Sequence, residues 1–146
     1  MMVRSVILML ALALPAAAGC GGDEAGTGGG GALPAPIVFQ VGGGEAPRLD
    51  RLTVQPDGSA QLKTMQGEKP VRLTDDELSK LAEQIEDADL PGVPEDSLSP
   101  EPIPDAPGYR FIYQGRQIDT DAAAAPEGIE PLISNFLELI DRYGAK

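Results

Sequence analysis

Apolar residues recur with a period of two along IVFQV, which puts Ile37, Phe39 and Val41 on one face. That spacing predicts a β-strand. The run GGGEAPR that follows has no apolar pattern and breaks the strand. LDRLTVQPDGSAQLKTM then reads as a hairpin. Leu52 and Val54 alternate outward, Pro56, Asp57 and Gly58 turn the chain, and Ala60 and Leu62 alternate on the return. Gln66, Gly67 and Glu68 read as a second turn, and PVRL offers a further strand with Val71 and Leu73 on one side.

The period then changes. In LTDDELSKLAEQIEDAD, Leu78, Leu81, Ala82 and Ile85 form an apolar stripe at helical spacing. Thr74 and Glu77 have the spacing of a capping box, and Asp75 and Asp76 lie in the first turn, where the helix dipole favours negative charge. Residues 90–108 hold six prolines, so an irregular connection is expected there, serving as a stiff crossover or as a binding loop. YRFIYQGRQIDT reads as a second hairpin, with Tyr109, Phe111 and Tyr113 on one face, Gln114 and Gly115 in the turn, and Ile118 on the return. A last helix is expected from near Pro131, with Ile129 at its entrance. Leu132, Ile133, Phe136, Leu137 and Ile140 would be its buried side. Strands and helices are segregated rather than alternating. The expected fold is therefore α+β, an antiparallel sheet of about five strands with two helices packed on one face.

The first 35 residues follow other rules. MMVR carries one cation, and the apolar run SVILMLALALPAAAG after it is shorter than the roughly 20 residues that span a bilayer. This is the pattern of a secretory signal peptide. Ala17-Ala18-Gly19-Cys20 resembles the lipobox of bacterial lipoproteins. The resemblance implies cleavage before Cys20 and a diacylglyceryl group on its thiol. It thereby implies a cell-membrane location, lipid-anchored on the extracytoplasmic side. Two further readings of the segment are a signal peptide cut elsewhere and an uncleaved membrane helix. Residues 21–35 are glycine-rich and read as a flexible tether, spanning roughly 20–23 Å on average. Gly26, Gly28 and Gly31 match the letters of a dinucleotide fingerprint, but no strand precedes them and no helix follows. The expected organisation is a signal peptide over 1–19, a lipidated cysteine and tether over 20–35, and a small domain over 36–146.

Composition narrows the chemistry. The formal net charge is −12, which argues against nucleic acid as a partner, because phosphates need clustered Lys and Arg. There is no histidine in the chain, so neither a Ser-His-Asp nor a Cys-His nucleophile can be assembled. Asp119 with Asp121, and Asp75 with Asp76 and Glu77, lack the spacing of a calcium loop and read as solvated or capping carboxylates. No catalytic residue, metal ligand or cofactor is expected. The candidate contact with a partner is the glycine loop Gly42, Gly43, Gly44 and Glu45, where a missing side chain allows close approach. The same glycines equally serve a plain connection between two strands.

IVFQVGGG, LTVQPDG, LTDDELSKLAEQIEDADL, YRFIYQGRQIDTD and PLISNFLELI together resemble the emfourin family of small proteinase inhibitors. The resemblance implies a cofactor-free protein that binds thermolysin-like zinc metalloproteinases. Two functions are thus carried forward. One is an anchored protein-binding module acting on a secreted or envelope protease. The other is an envelope structural or accessory lipoprotein with a non-protease partner.

Overall fold

The computed structural model describes residues 32–44, 48–101 and 103–145. Cys20, the three glycines of the fingerprint match and Glu45 lie outside the described residues. The elements run β1 (Ile37–Gly43), β2 (Arg48–Val54), β3 (Ser59–Thr64), β4 (Gly67–Arg72), α1 (Asp75–Asp87), β5 (Asp96–Ser97), β6 (Pro107–Tyr113), β7 (Arg116–Asp121) and α2 (Glu130–Gly144). The fold is α+β. One sheet has the order β4-β3-β2-β1-β6-β7-β5, antiparallel throughout except that β5 runs parallel to β7.

The sheet therefore has seven strands rather than about five. The further strand offered by PVRL forms as β4, which holds Pro70 and sits at an edge, where a residue without an N–H is tolerated. The strand with no counterpart in the sequence pattern is β5, two residues inside the proline-rich connection, too short to show any period. That connection is also shorter than expected. Pro107 and Gly108 belong to β6 and pair with Gly43 and Gly42. Pro107 is the first residue of its strand, again a position that spares the ladder.

Register puts one side chain set on each face. Ile37, Phe39 and Val41 face Val54, Leu52 and Asp50 on β2, and Tyr113, Phe111 and Tyr109 on β6. This is the side that packs under α1 and α2. The chain has only three phenylalanines and no tryptophan, and all three phenylalanines are fully buried in one cluster. Phe39 lies 5.1 Å from Phe111 and 4.8 Å from Phe136, centroid to centroid. Such pairs add roughly 0.5–1.5 kcal/mol each beyond the area they bury. Leu33, in the segment read as tether, is also buried, and its N–H donates to the Pro56 carbonyl at 3.3 Å.

The turns follow their residues. Gln114 and Gly115 both have positive φ, the requirement of a two-residue type I′ hairpin loop. The turn between β3 and β4 consists of Met65 and Gln66, one residue earlier than QGE suggests, because Thr64 already pairs with Gly67.

The helices are tied end to end. Glu77 N–H donates to Thr74 Oγ1 at 3.3 Å and Thr74 N–H donates to Glu77 Oε2 at 2.9 Å, which completes the capping box. Glu77 also accepts from Arg142 and, at 2.7 Å, from the Tyr143 hydroxyl, both in the last turn of α2. The N-terminus of α1 is thus joined to the C-terminus of α2. Burial opposes charge on Glu77, but bonds from Thr74, Tyr143 and Arg142 outweigh it and hold the carboxyl below its ordinary value.

Candidate functional site

The helices cover one face of the sheet. The other face carries Val38, Gln40 and Gly42 of β1, with Leu49, Arg51 and Thr53 opposite them on β2. On the far side of β1 stand Gly108, Arg110 and Ile112 of β6. Strands with one solvated face normally fill it with polar side chains. Here a groove of about 310 Å³ is cut into that face.

Two glycines make its floor. Gly42 and Gly108 are register partners on adjacent strands, so a strip of backbone lies bare where side chains would stand. Leu49 walls one side and is 67% exposed, and Leu98 walls the other at 51%. Arg110 and Asp119 close one end, with Arg110 Nε donating at 2.6 Å and its Nη2 at 3.2 Å. The Arg110 bond, against the cost of burial, holds the Asp119 carboxyl below its usual range.

Leu98 reaches the groove because the proline-rich connection is fastened down. Arg116 donates to the carbonyls of Leu90, Pro91 and Val93, and its Nε approaches Glu95 at 3.4 Å. Asp121 accepts from Ser99 N–H at 2.7 Å. Thr120 Oγ1 donates to the Ser97 carbonyl at 3.0 Å. One arginine and two side chains at the end of β7 therefore position the wall.

Gly42 and Gly43 are not a free loop. Both are strand residues, paired with Leu49 and Arg48 on one side and with Gly108 and Pro107 on the other. Their ladder bonds are used. What Gly42 presents outward is the absence of a side chain. Gly43 and Gly44 have φ of 81° and 93°, which carries the chain out of the sheet in a conformation that side chains disfavour. Gly44 is half-buried at the strand end. The remaining wall and floor residues, Leu49, Leu98, Gly108 and Arg110, were not singled out by sequence. The outward positions of β2 and β6 follow from the period of two, but which of them meet depends on strand order.

Asp57, Glu77, Asp119 and Asp121 are all shifted downward, into permanent charge, by hydrogen bonds from neighbouring groups. A larger hollow of about 680 Å³ lies beside α1, but its rim includes Glu83, Glu86 and Asp89. Among the described residues no group of three or more Asp, Glu, Cys or His is placed to hold a metal ion, and no helix is long and apolar enough to cross a membrane. No protein-family model matches the chain, and no curated protein is similar to it.

Proposed function

We propose that this chain is a lipid-anchored protein of the extracytoplasmic side of the cell membrane, and that its domain binds another protein. The observation that carries the binding reading is the glycine-floored groove on the open sheet face, flanked by two exposed leucines. Isolated exposed leucines are ordinary, but two of them bracketing bare backbone make a concave apolar contact. The anchor rests on the sequence around Cys20. Diacylated cysteine gives two acyl chains at one residue, enough for stable attachment.

The anchor is tested by Cys20→Ala. The variant is expected to lose palmitate labelling and either leave the membrane fraction or accumulate as precursor. A variant that stays membrane-bound at mature size would disprove the lipobox. Binding is tested by crosslinking the intact anchored protein in its own envelope. Recovery of the chain alone at every crosslinker length would disprove a protein-binding role.

The emfourin resemblance makes a thermolysin-like metalloproteinase one partner to try. In that form, Gly42 and Gly43 at the end of β1, with Gly44 and Glu45 after them in sequence, approach the protease cleft. Inhibition of such proteases at micromolar protein supports it. Its absence, with a non-protease partner crosslinked, favours the accessory-lipoprotein form.

A further inference from the structure

Beside the groove, one row of side chains crosses the entire sheet on its open face. It runs Glu68 on β4, Lys63 on β3, Arg51 on β2, Gln40 on β1, Arg110 on β6, Asp119 on β7 and Asp96 on β5, each the register partner of the next. The middle of this row is cationic and both ends are acidic. Arg51 and Lys63 are directly opposite each other, and neither has an ion-pair partner among the described residues.

Like charges at directly opposed positions are unfavourable in a sheet. The placement is more unusual because the whole chain carries −12. The negative charge is concentrated elsewhere. Asp75, Asp76, Glu83, Glu86 and Asp87 are exposed on α1 against Lys80 alone. The molecule is thus polarised, acidic on the helix layer and cationic at the centre of the open sheet. A surface that concentrates one sign inside a field of the other steers a complementary partner to one place and one orientation.

We infer that the open sheet face binds an acidic segment of a partner protein, seating one apolar side chain of that segment between Leu49 and Leu98 while its carboxylates lie over Arg51 and Lys63. This rests on the protein-binding reading and gives the partner its chemistry. Two features favour a narrow peptide segment over an anionic membrane surface. Within the row the cations stand on the inner strands β3, β2 and β6, and Glu68, Asp96 and Asp119 at its ends repel a broad negative plane. The apolar contact is concave and floored by backbone, so it accepts one protruding side chain rather than presenting a wedge for insertion. Gln40, between the cationic columns, offers an amide to the backbone of the bound segment.

The full chain is tested against peptides with one Leu, Phe or Met flanked by Glu and Asp. Controls are the same peptides with Lys replacing the acids, and vesicles of phosphatidylglycerol and phosphatidylcholine at about 3:7. Acidic peptides are expected to bind, Lys peptides not, with affinity falling as salt is raised. Arg51→Glu and Lys63→Glu are each expected to weaken binding about tenfold. Gly108→Val tests the groove without threatening the fold. Gly108 has no positive φ, and an added Cβ would meet nothing nearer than 3.9 Å. It is expected to abolish binding at an unchanged melting temperature.

Acidic peptides that bind no better than Lys peptides overturn the inference. So does binding indifferent to Arg51→Glu and Gly108→Val. So does vesicle binding lost in Arg51→Glu while peptides fail to bind. Crosslinking separates this inference from the reading beneath it. A partner captured equally by the native chain and by Arg51→Glu/Gly108→Val leaves the protein-binding role standing and removes this face from it. No partner with either removes both.

Discussion

The ring of Phe136, on α2, stacks on the ring of Phe39 in the central strand β1, with centroids 4.8 Å apart and planes within 14°. This contact clamps the helix layer to the sheet. Phe111 joins it from β6, so one cluster links both halves of the sheet to the helix. Phe136→Ala is expected to cost about 3–5 kcal/mol in chemical denaturation, a large part of a small domain's stability. Its neighbour Asn135 is also buried, but its amide Nδ2 has no hydrogen-bond partner. Asn135→Ala removes that cost along with the contacts, and is expected to change stability by less than about 1 kcal/mol. Equal losses for the two variants would contradict this account of the helix–sheet contact.

Tyr143 makes a prediction at alkaline pH. Its hydroxyl proton sits between Glu77 Oε2 at 2.7 Å and the Arg72 carbonyl at 2.9 Å. Burial and the adjacent Glu77 push the phenol from 10.0 up to about 12. Between those values the unfolded chain has released a proton that the fold retains, so stability falls as pH rises through that window. Below pH 10.0 the contribution is complete. Tyr143→Phe is expected to flatten this slope and to cost about 0.5–1.5 kcal/mol at neutral pH. A slope unchanged in the variant would refute the assignment.

The acid limb belongs in part to Glu77. Its carboxyl is held below the ordinary value, so its contribution is present above that value and is lost as pH falls through the lowered one. Glu77→Gln keeps a side chain able to cap Thr74 but gives up the charge facing Arg142 and the helix dipole. Thermal melts are expected to show a loss of about 0.5–1 kcal/mol at neutral pH and a shallower fall in acid.

Arg116 predicts a local effect. It binds three carbonyls of the connection that carries Leu98 to the groove. Arg116→Met is expected to lose about 1.5–3 kcal/mol. It should also speed amide exchange around residues 90–99 more than in β1 or β2. Uniform acceleration across the sheet would show that the connection unfolds only with the whole domain. Binding of acidic peptides is expected to weaken in the same variant, because Leu98 loses its support.

Much of this was legible in order. Thr74 and Glu77 are three residues apart, and a capping box needs nothing more distant, so the start of α1 is readable directly. The turn at Gln114 and Gly115 is readable for the same reason. Phe39, Phe111 and Phe136 could each be assigned to a buried face from spacing alone. β5 could not be foreseen, because it exists only where Glu95 to Ser97 meet the edge of β7, with Asp119 N–H donating to the Glu95 carbonyl at 2.8 Å. Two residues have no period, and their pairing is set by Arg116 and Asp121, which lie beyond the intervening prolines.

In sequence Gly42 belongs to a glycine loop that closes the first strand and lacks side-chain bulk. Its meaning changes when Gly108, from the other hairpin, becomes its neighbour. The same holds for Arg51 and Lys63, ordinary surface cations in their own strands, which register sets side by side. Period, caps and turns are short-range effects, and they specify which residues are buried and where the chain bends. The bare floor of the groove and the cationic row depend on pairings between distant segments. Those pairings exist only once packing around the three phenylalanines has selected one strand order, because a slip of one residue would move every side chain to the opposite face.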